Sequence, residues 1–201
     1  DKQALWVFVK ARVPFEYVLC LDGDEMLSRR LIKSFPHLWM WMDGSGLPDP
    51  AAAVDIFTLP FIYLWDGDQQ RRVDGCYADD IMDSKPVPHL RFPRLFTVKR
   101  LSEQQLFDMR FAWEGSKGGF HCGSIPRESF RPNGRDISGG TASQSVIHFG
   151  YVSDELRKRK YEFYNRIDPG NLFEGEYAHI IGLPDQHAPG PVELVPWQEE
   201  G

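Results

Sequence analysis

The chain has 201 residues, 42% of them apolar and 13% aromatic, which is enough to bury a core and fits one domain better than two. A formal net charge of −6 excludes a general electrostatic grip on nucleic acid, because that grip needs a basic surface to release counterions. No stretch approaches the roughly 20 apolar residues of a membrane span, and no charged-then-apolar leader opens the chain. Cys20, Cys76 and Cys122 are odd in number and widely spaced, so a reducing compartment, the cytoplasm, is expected.

The apolar positions Leu5, Phe8 and Val9 predict a helix from the first residues to about Arg12, stopped by Pro14. The chain opens on Asp1 directly into this pattern, so it reads as a piece of something longer. Phe15 to Leu21 has the length and composition of a buried strand, and Asp22-Gly23-Asp24-Glu25 follows at its carboxyl end, where open α/β sheets bind ligands. Ser28 is a predicted N-cap for a helix from Arg29 to about Met42, with Leu31, Ile32, Phe35, Leu38 and Met42 as its buried stripe and Pro36 kinking or splitting it.

Asp43 to Pro50 breaks the pattern. Val54 to Trp65 reads as a strand interrupted by Pro60 and ending in a second acidic turn, Asp66-Gly67-Asp68. Arg71 to Pro88 reads as an irregular surface loop, and Arg91 to Val98 as a strand. Ser102 with Gln105 is a capping box opening a short helix. Glu114 to Gly140 is rich in glycine and proline, a composition for binding loops. Ser145 to Phe149 is a predicted strand, and Ser153 caps a helix to about Ile167 whose basic run, Arg157-Lys158-Arg159-Lys160, reads as a solvated face. The tail from 183 to 201 carries four prolines and is expected to wrap or fray.

Two aspartates flanking one small residue, on a turn after a buried strand, put hard oxygen ligands in one cleft, a chemistry suited to magnesium or manganese. Asp22 and Asp24 meet that description; an ordinary Asp-Gly turn meets it too. His148 reads by itself as a core histidine hydrogen-bonded to backbone. Arg94 could offer a guanidinium to a diphosphate, or sit on an edge strand. Trp65 and Trp113 flank loops where a sugar ring could stack, though tryptophans commonly just pack. Cys122 beside His121 lacks a third partner for a nucleophile's role.

The sequence VLCLDGDEML, with strand, acidic triplet and helix in order, resembles the acidic element of family-2 glycosyltransferases. The resemblance continues through LPFIYLW, Pro93-Arg94-Leu95-Phe96, GGFHCGSIPR and Ile147-His148-Phe149-Gly150-Tyr151, in that family's order and across about residues 1 to 180. LDGDE and IHFGY are its most specific parts. It implies an α/β fold of the GT-A kind, a Rossmann-like mixed sheet flanked by helices, over residues 1–182, lacking its N-terminal nucleotide-binding segment. An upstream segment or a second chain would complete the site.

The implied activity is metal-dependent transfer of a hexose, with inversion, from a nucleotide diphosphate sugar, a UDP-sugar first among them. The acceptor would be a glycan, a lipid-linked glycan, a protein or a modified base. Asp22 would face the ribose or a metal-bound water, Asp24 would ligate manganese or magnesium, Glu25 would support the turn, and His148 would be a third metal ligand or a phosphate contact. The base that takes the acceptor proton is unassigned: the family often has His-Glu where this chain has His121-Cys122, which leaves Asp66, Asp68, Glu114 and His121 as candidates. The alternatives are a non-catalytic module derived from a transferase and, third, a metal-dependent phosphoester hydrolase using the same carboxylates.

Overall fold

A computed structural model describes residues 15–45, 47–82, 85–108, 138–171 and 176–199. The fold is mixed α/β. In chain order its elements are β1 (Tyr17–Leu19), β2 (Glu25–Leu27), α1 (Arg29–Asp43), β3 (Ile56–Tyr63), β4 (Gln70–Arg72), β5 (Asp79–Met82), β6 (Lys85–Pro88), β7 (Arg91–Thr97), α2 (Glu103–Asp108), β8 (Gly139–Thr141), β9 (Val146–His148), α3 (Asp154–Ile167) and β10 (Leu194–Pro196). No described helix is long and apolar enough to cross a membrane.

The chain forms two compact units, and each takes one half of β3. In the first, β1 runs antiparallel to β7, pairing Tyr17 with Thr97 and Leu19 with Leu95, while β8 runs parallel to Ile56–Thr58 of β3. Residues 93 to 97 of β7 are all buried, the continuous pattern of a strand covered on both faces. Phe96 and Val98 gather Phe15, Val18, Ile56, Leu101 and Leu106 into a core. The predicted capping box opens α2 as expected: Gln105 N–H donates to Ser102 Oγ at 3.2 Å, and Ser102 N–H to Gln105 Oε1 at 2.9 Å.

In the second unit β9 is buried along its length, parallel to Phe61–Tyr63 of β3 and antiparallel to β2, with His148 opposite both Tyr63 and Glu25. β4 pairs antiparallel with β10, so the tail is packed as far as Trp197, whose N–H donates to Gln69 O at 2.8 Å. β5 and β6 form a hairpin. Ser153 caps α3, its hydroxyl accepting from Leu156 N–H at 3.2 Å.

Several expectations are corrected. Pro60 does not interrupt β3: it falls between the segment paired with β8 and the segment paired with β9, where its missing N–H breaks no ladder bond on that side. Helix α1 runs through Pro36 unsplit, with Leu31, Leu38 and Met42 buried on either side of it, but Ile32 is exposed. Arg71 to Pro88 is ordered as β4, β5 and β6 rather than an irregular loop. The acidic turn is followed at once by the three-residue strand β2, which no periodicity announces in so short a segment. The predicted N-terminal helix and almost all of the glycine-rich loop lie outside the described residues.

Candidate functional site

The acidic turn is closed by its own residues. Glu25 N–H donates to Asp22 O at 3.1 Å, and Asp22 N–H donates back to Glu25 Oε2 at 2.9 Å, so Glu25 supports the turn as expected. A Cβ added at Gly23 would meet nothing within 4 Å, which leaves that side of the turn open. The next residues enter β2, and its pairing with β9 brings the turn to the end of that strand, where Phe149 N–H donates to Asp24 O at 2.8 Å.

The Asp24 side chain therefore faces His148. The imidazole is buried and packs against Tyr63 and Tyr151, with ring centroids 4.6 and 5.0 Å away. Gly150 N–H donates to Nδ1 at 3.2 Å, which leaves the ring proton on Nε2, 3.2 Å from Asp24 Oδ2. Burial pushes the His148 pKa below its ordinary value, so the ring is a neutral donor near pH 7. Lys160 of α3 completes the cluster, its Nζ 2.9 Å from Asp24 Oδ2 and 3.3 Å from His148 Nε2. The hydrogen bond from His148, with the ammonium beside it, outweighs burial and holds Asp24 well below the usual carboxylate range, as a permanent anion.

The resemblance implies a divalent cation, and the donor chemistry fits one. Among the described residues no three His, Cys, Asp or Glu side chains group closely enough to hold a metal by themselves. Magnesium and manganese do not require that, since one or two carboxylates suffice when phosphate oxygens and water fill the remaining positions. Asp24, with Asp22 on the same turn, supplies such a set. A Cβ at Gly150 would lie within 3.0 Å of Asp24 Oδ2, His148 Cε1 and Lys160 Nζ, so only glycine leaves this cradle intact. His148 would join as a ligand only by moving its proton to Nδ1, which faces the Gly150 N–H. In the arrangement present it orients Asp24.

The other candidates are placed differently. Asp66 has φ 53° in a left-handed turn, and one of its oxygens lies 2.6 Å from the buried Arg157 guanidinium, which also donates to Tyr151 O at 2.8 Å. Asp66 is thus a structural partner of α3. Asp68 is exposed and accepts from Gln69 Nε2 at 2.9 Å. Arg94 is buried on β7 in the first unit, not on an exposed edge, whereas Asp24 belongs to the second. Glu114, His121, Cys122 and Trp113 lie outside the described residues. Trp65 is packed rather than presented to a sugar, with the guanidinium carbons of Arg72 and Arg157 at 4.6 and 4.4 Å from its ring centre.

Lys160 and Arg157 are the residues the sequence reading missed. The basic run is not a uniform solvated face: Lys158 and Arg159 are exposed, but Arg157 and Lys160, three apart on one side of the helix, turn inward. That spacing was the available signal. No protein-family model matches the chain, and neither a curated protein nor a solved structure does.

Proposed function

We propose that the chain is the catalytic and acceptor-side portion of a GT-A-like glycosyltransferase. It would move a hexose from a nucleotide diphosphate sugar to an acceptor, with inversion, assisted by manganese or magnesium, in the cytoplasm. One observation supports this above the others. LDGDE and IHFGY, the two most specific elements of the resemblance, are distant in sequence yet meet through the β2–β9 ladder, with Asp24 Oδ2 3.2 Å from His148 Nε2.

The bound cation would neutralise the diphosphate as the sugar departs. Asp24 is suited to hold it because its carboxylate stays ionised and is fixed from behind by His148. His148 is in turn fixed by Gly150 N–H and the rings of Tyr63 and Tyr151. The open side of Gly23 leaves room for the diphosphate against the backbone. Asp66 is engaged by Arg157 and is a poor choice for the base, which leaves Asp68, Glu114 and His121 as the candidates. The acceptor is a glycan, a lipid-linked glycan, a protein or a modified base.

The test is release of nucleoside diphosphate from a panel of UDP- and GDP-sugars with manganese, using the wild-type chain and the Asp24→Ala and His148→Ala variants. Manganese-dependent release that falls at least a hundredfold in Asp24→Ala supports the reading. Release equal in wild type and Asp24→Ala refutes it. The non-catalytic alternative has its own supporting observation, a site carboxylate already neutralised by Lys160. It predicts no release with any donor while binding of a glycan persists.

A further inference from the structure

Lys160 reaches inward from the second turn of α3, past the ring of Tyr151, whose centroid lies 5.1 Å from Nζ. Its ammonium is 2.9 Å from Asp24 Oδ2 and 3.3 Å from His148 Nε2, and it is among the three groups a Cβ at Gly150 would press against. Since the Nε2 proton is directed at Asp24, the carboxylate oxygen is the acceptor that holds the lysine. Asp24 is also the carboxylate that would hold a divalent cation at this turn. A divalent cation on the same carboxylate would repel an ammonium held 2.9 Å from Oδ2, and that repulsion is strengthened in a half-buried site.

We propose that Lys160 is the built-in counter-cation of Asp24 and competes with the divalent metal for it. Loading the metal displaces the ammonium; losing the metal lets it return. The four-carbon stem makes this exchange cheap, since the ammonium swings about flexible bonds without moving α3. Lys160 therefore weakens metal affinity and keeps the empty site from carrying an uncompensated anion. The proposal rests on the transferase reading for the identity of the competing cation.

The experiment titrates manganese alone, followed by the electron paramagnetic resonance signal of the free ion, into wild type, Lys160→Met, Lys160→Arg and Asp24→Asn. Lys160→Met keeps the stem against Tyr151 and removes the charge, so it is expected to bind manganese about tenfold tighter or more. Lys160→Arg retains the charge and is expected to bind as wild type or more weakly. Asp24→Asn is expected to lose binding. A second readout uses the unmodified protein: magnesium is expected to raise acetylation of the Lys160 amine several-fold relative to exposed Lys158. Lys160→Gln serves as the second uncharged variant if circular dichroism shows Lys160→Met unfolded.

Equal or weaker manganese binding in the uncharged variants, with Asp24→Asn still abolishing it, overturns the competition and leaves the transferase reading standing. Unchanged Lys160 labelling on magnesium loading overturns it likewise. Absence of manganese binding in every variant, or binding indifferent to Asp24→Asn, overturns both.

Discussion

Replacing Gly150 by alanine tests the cradle directly. The added Cβ would come within 3.0 Å of Asp24 Oδ2, His148 Cε1 and Lys160 Nζ. The carboxylate and the ammonium are ends of flexible chains and can withdraw, but the buried His148 ring is held between Tyr63 and Tyr151. Withdrawal breaks the 2.9 Å bond between Lys160 and Asp24 or the 3.2 Å contact between Asp24 and His148. Overpacking of this kind costs about 1–3 kcal/mol. The alanine also restricts the unfolded chain, which offsets about 0.4–1 kcal/mol of that. The net expectation is a loss of about 1–2 kcal/mol in urea unfolding.

Gly23→Ala, on the same site, meets no neighbour within 4 Å, so only the unfolded-state term remains and stability is expected to hold or rise slightly. The opposite signs are the test. A Gly150→Ala protein as stable as wild type, with an unmoved His148 ring signal in the nuclear magnetic resonance spectrum, would refute the packing derived for this cluster.

Other outcomes follow from the same geometry. Arg157→Ala removes the buried guanidinium that lies against Asp66, Tyr151 O and Trp65, and is expected to cost about 2–4 kcal/mol in urea unfolding, against at most about 0.5 kcal/mol for the exposed Lys158→Ala. Asp185 accepts from the N–H groups of His179, His187 and Ala188 and from the His179 ring; burial would raise its pKa, but these donors hold it below the ordinary carboxylate range. A depressed carboxylate stabilises the fold above its unfolded pKa, so the stability gap between wild type and Asp185→Asn is expected to be constant above about pH 5 and to shrink below about pH 4. A gap that widened on acidification would contradict that assignment. Gly75 has φ 51°, and a Cβ there would lie 2.6 Å from His187 O, so Gly75→Ala is expected to lower the urea midpoint by the equivalent of about 2 kcal/mol or more.

Local signals carried much of this structure. Ser153 and Ser102 with Gln105 declared their caps because each is satisfied by a neighbour three residues away, and the apolar run before Asp22 declared β1 by its composition although its partner β7 is distant in sequence. The meeting of Asp24 with His148 was anticipated only through resemblance, since a ladder between residues far apart leaves no period to read. Arg157 and Lys160 were hidden by composition: four consecutive cations look solvated, and only the helical spacing separates the pair turned inward from the pair turned out. The region from Arg71 to Pro88 read as loop because its strands are three or four residues long and polar. Their order comes from β10, a long-range partner for β4, and from the buried bidentate pair of Arg72 with Asp74 two residues on, whose bonds measure 2.7 and 2.6 Å. Pro60 misled because a proline in a strand is costly only where a partner needs its N–H.

The most direct measurement is calorimetric titration of UDP, then GDP, in the presence of manganese, into the wild-type chain and into Asp24→Ala. Metal-dependent binding of one nucleotide that disappears in the variant is the predicted result, and the nucleotide bound identifies the donor. Nucleotide binding that survives both chelation and Asp24→Ala, or no binding of either nucleotide, would contradict the assignment of a nucleotide-sugar site to the Asp24–His148 pair.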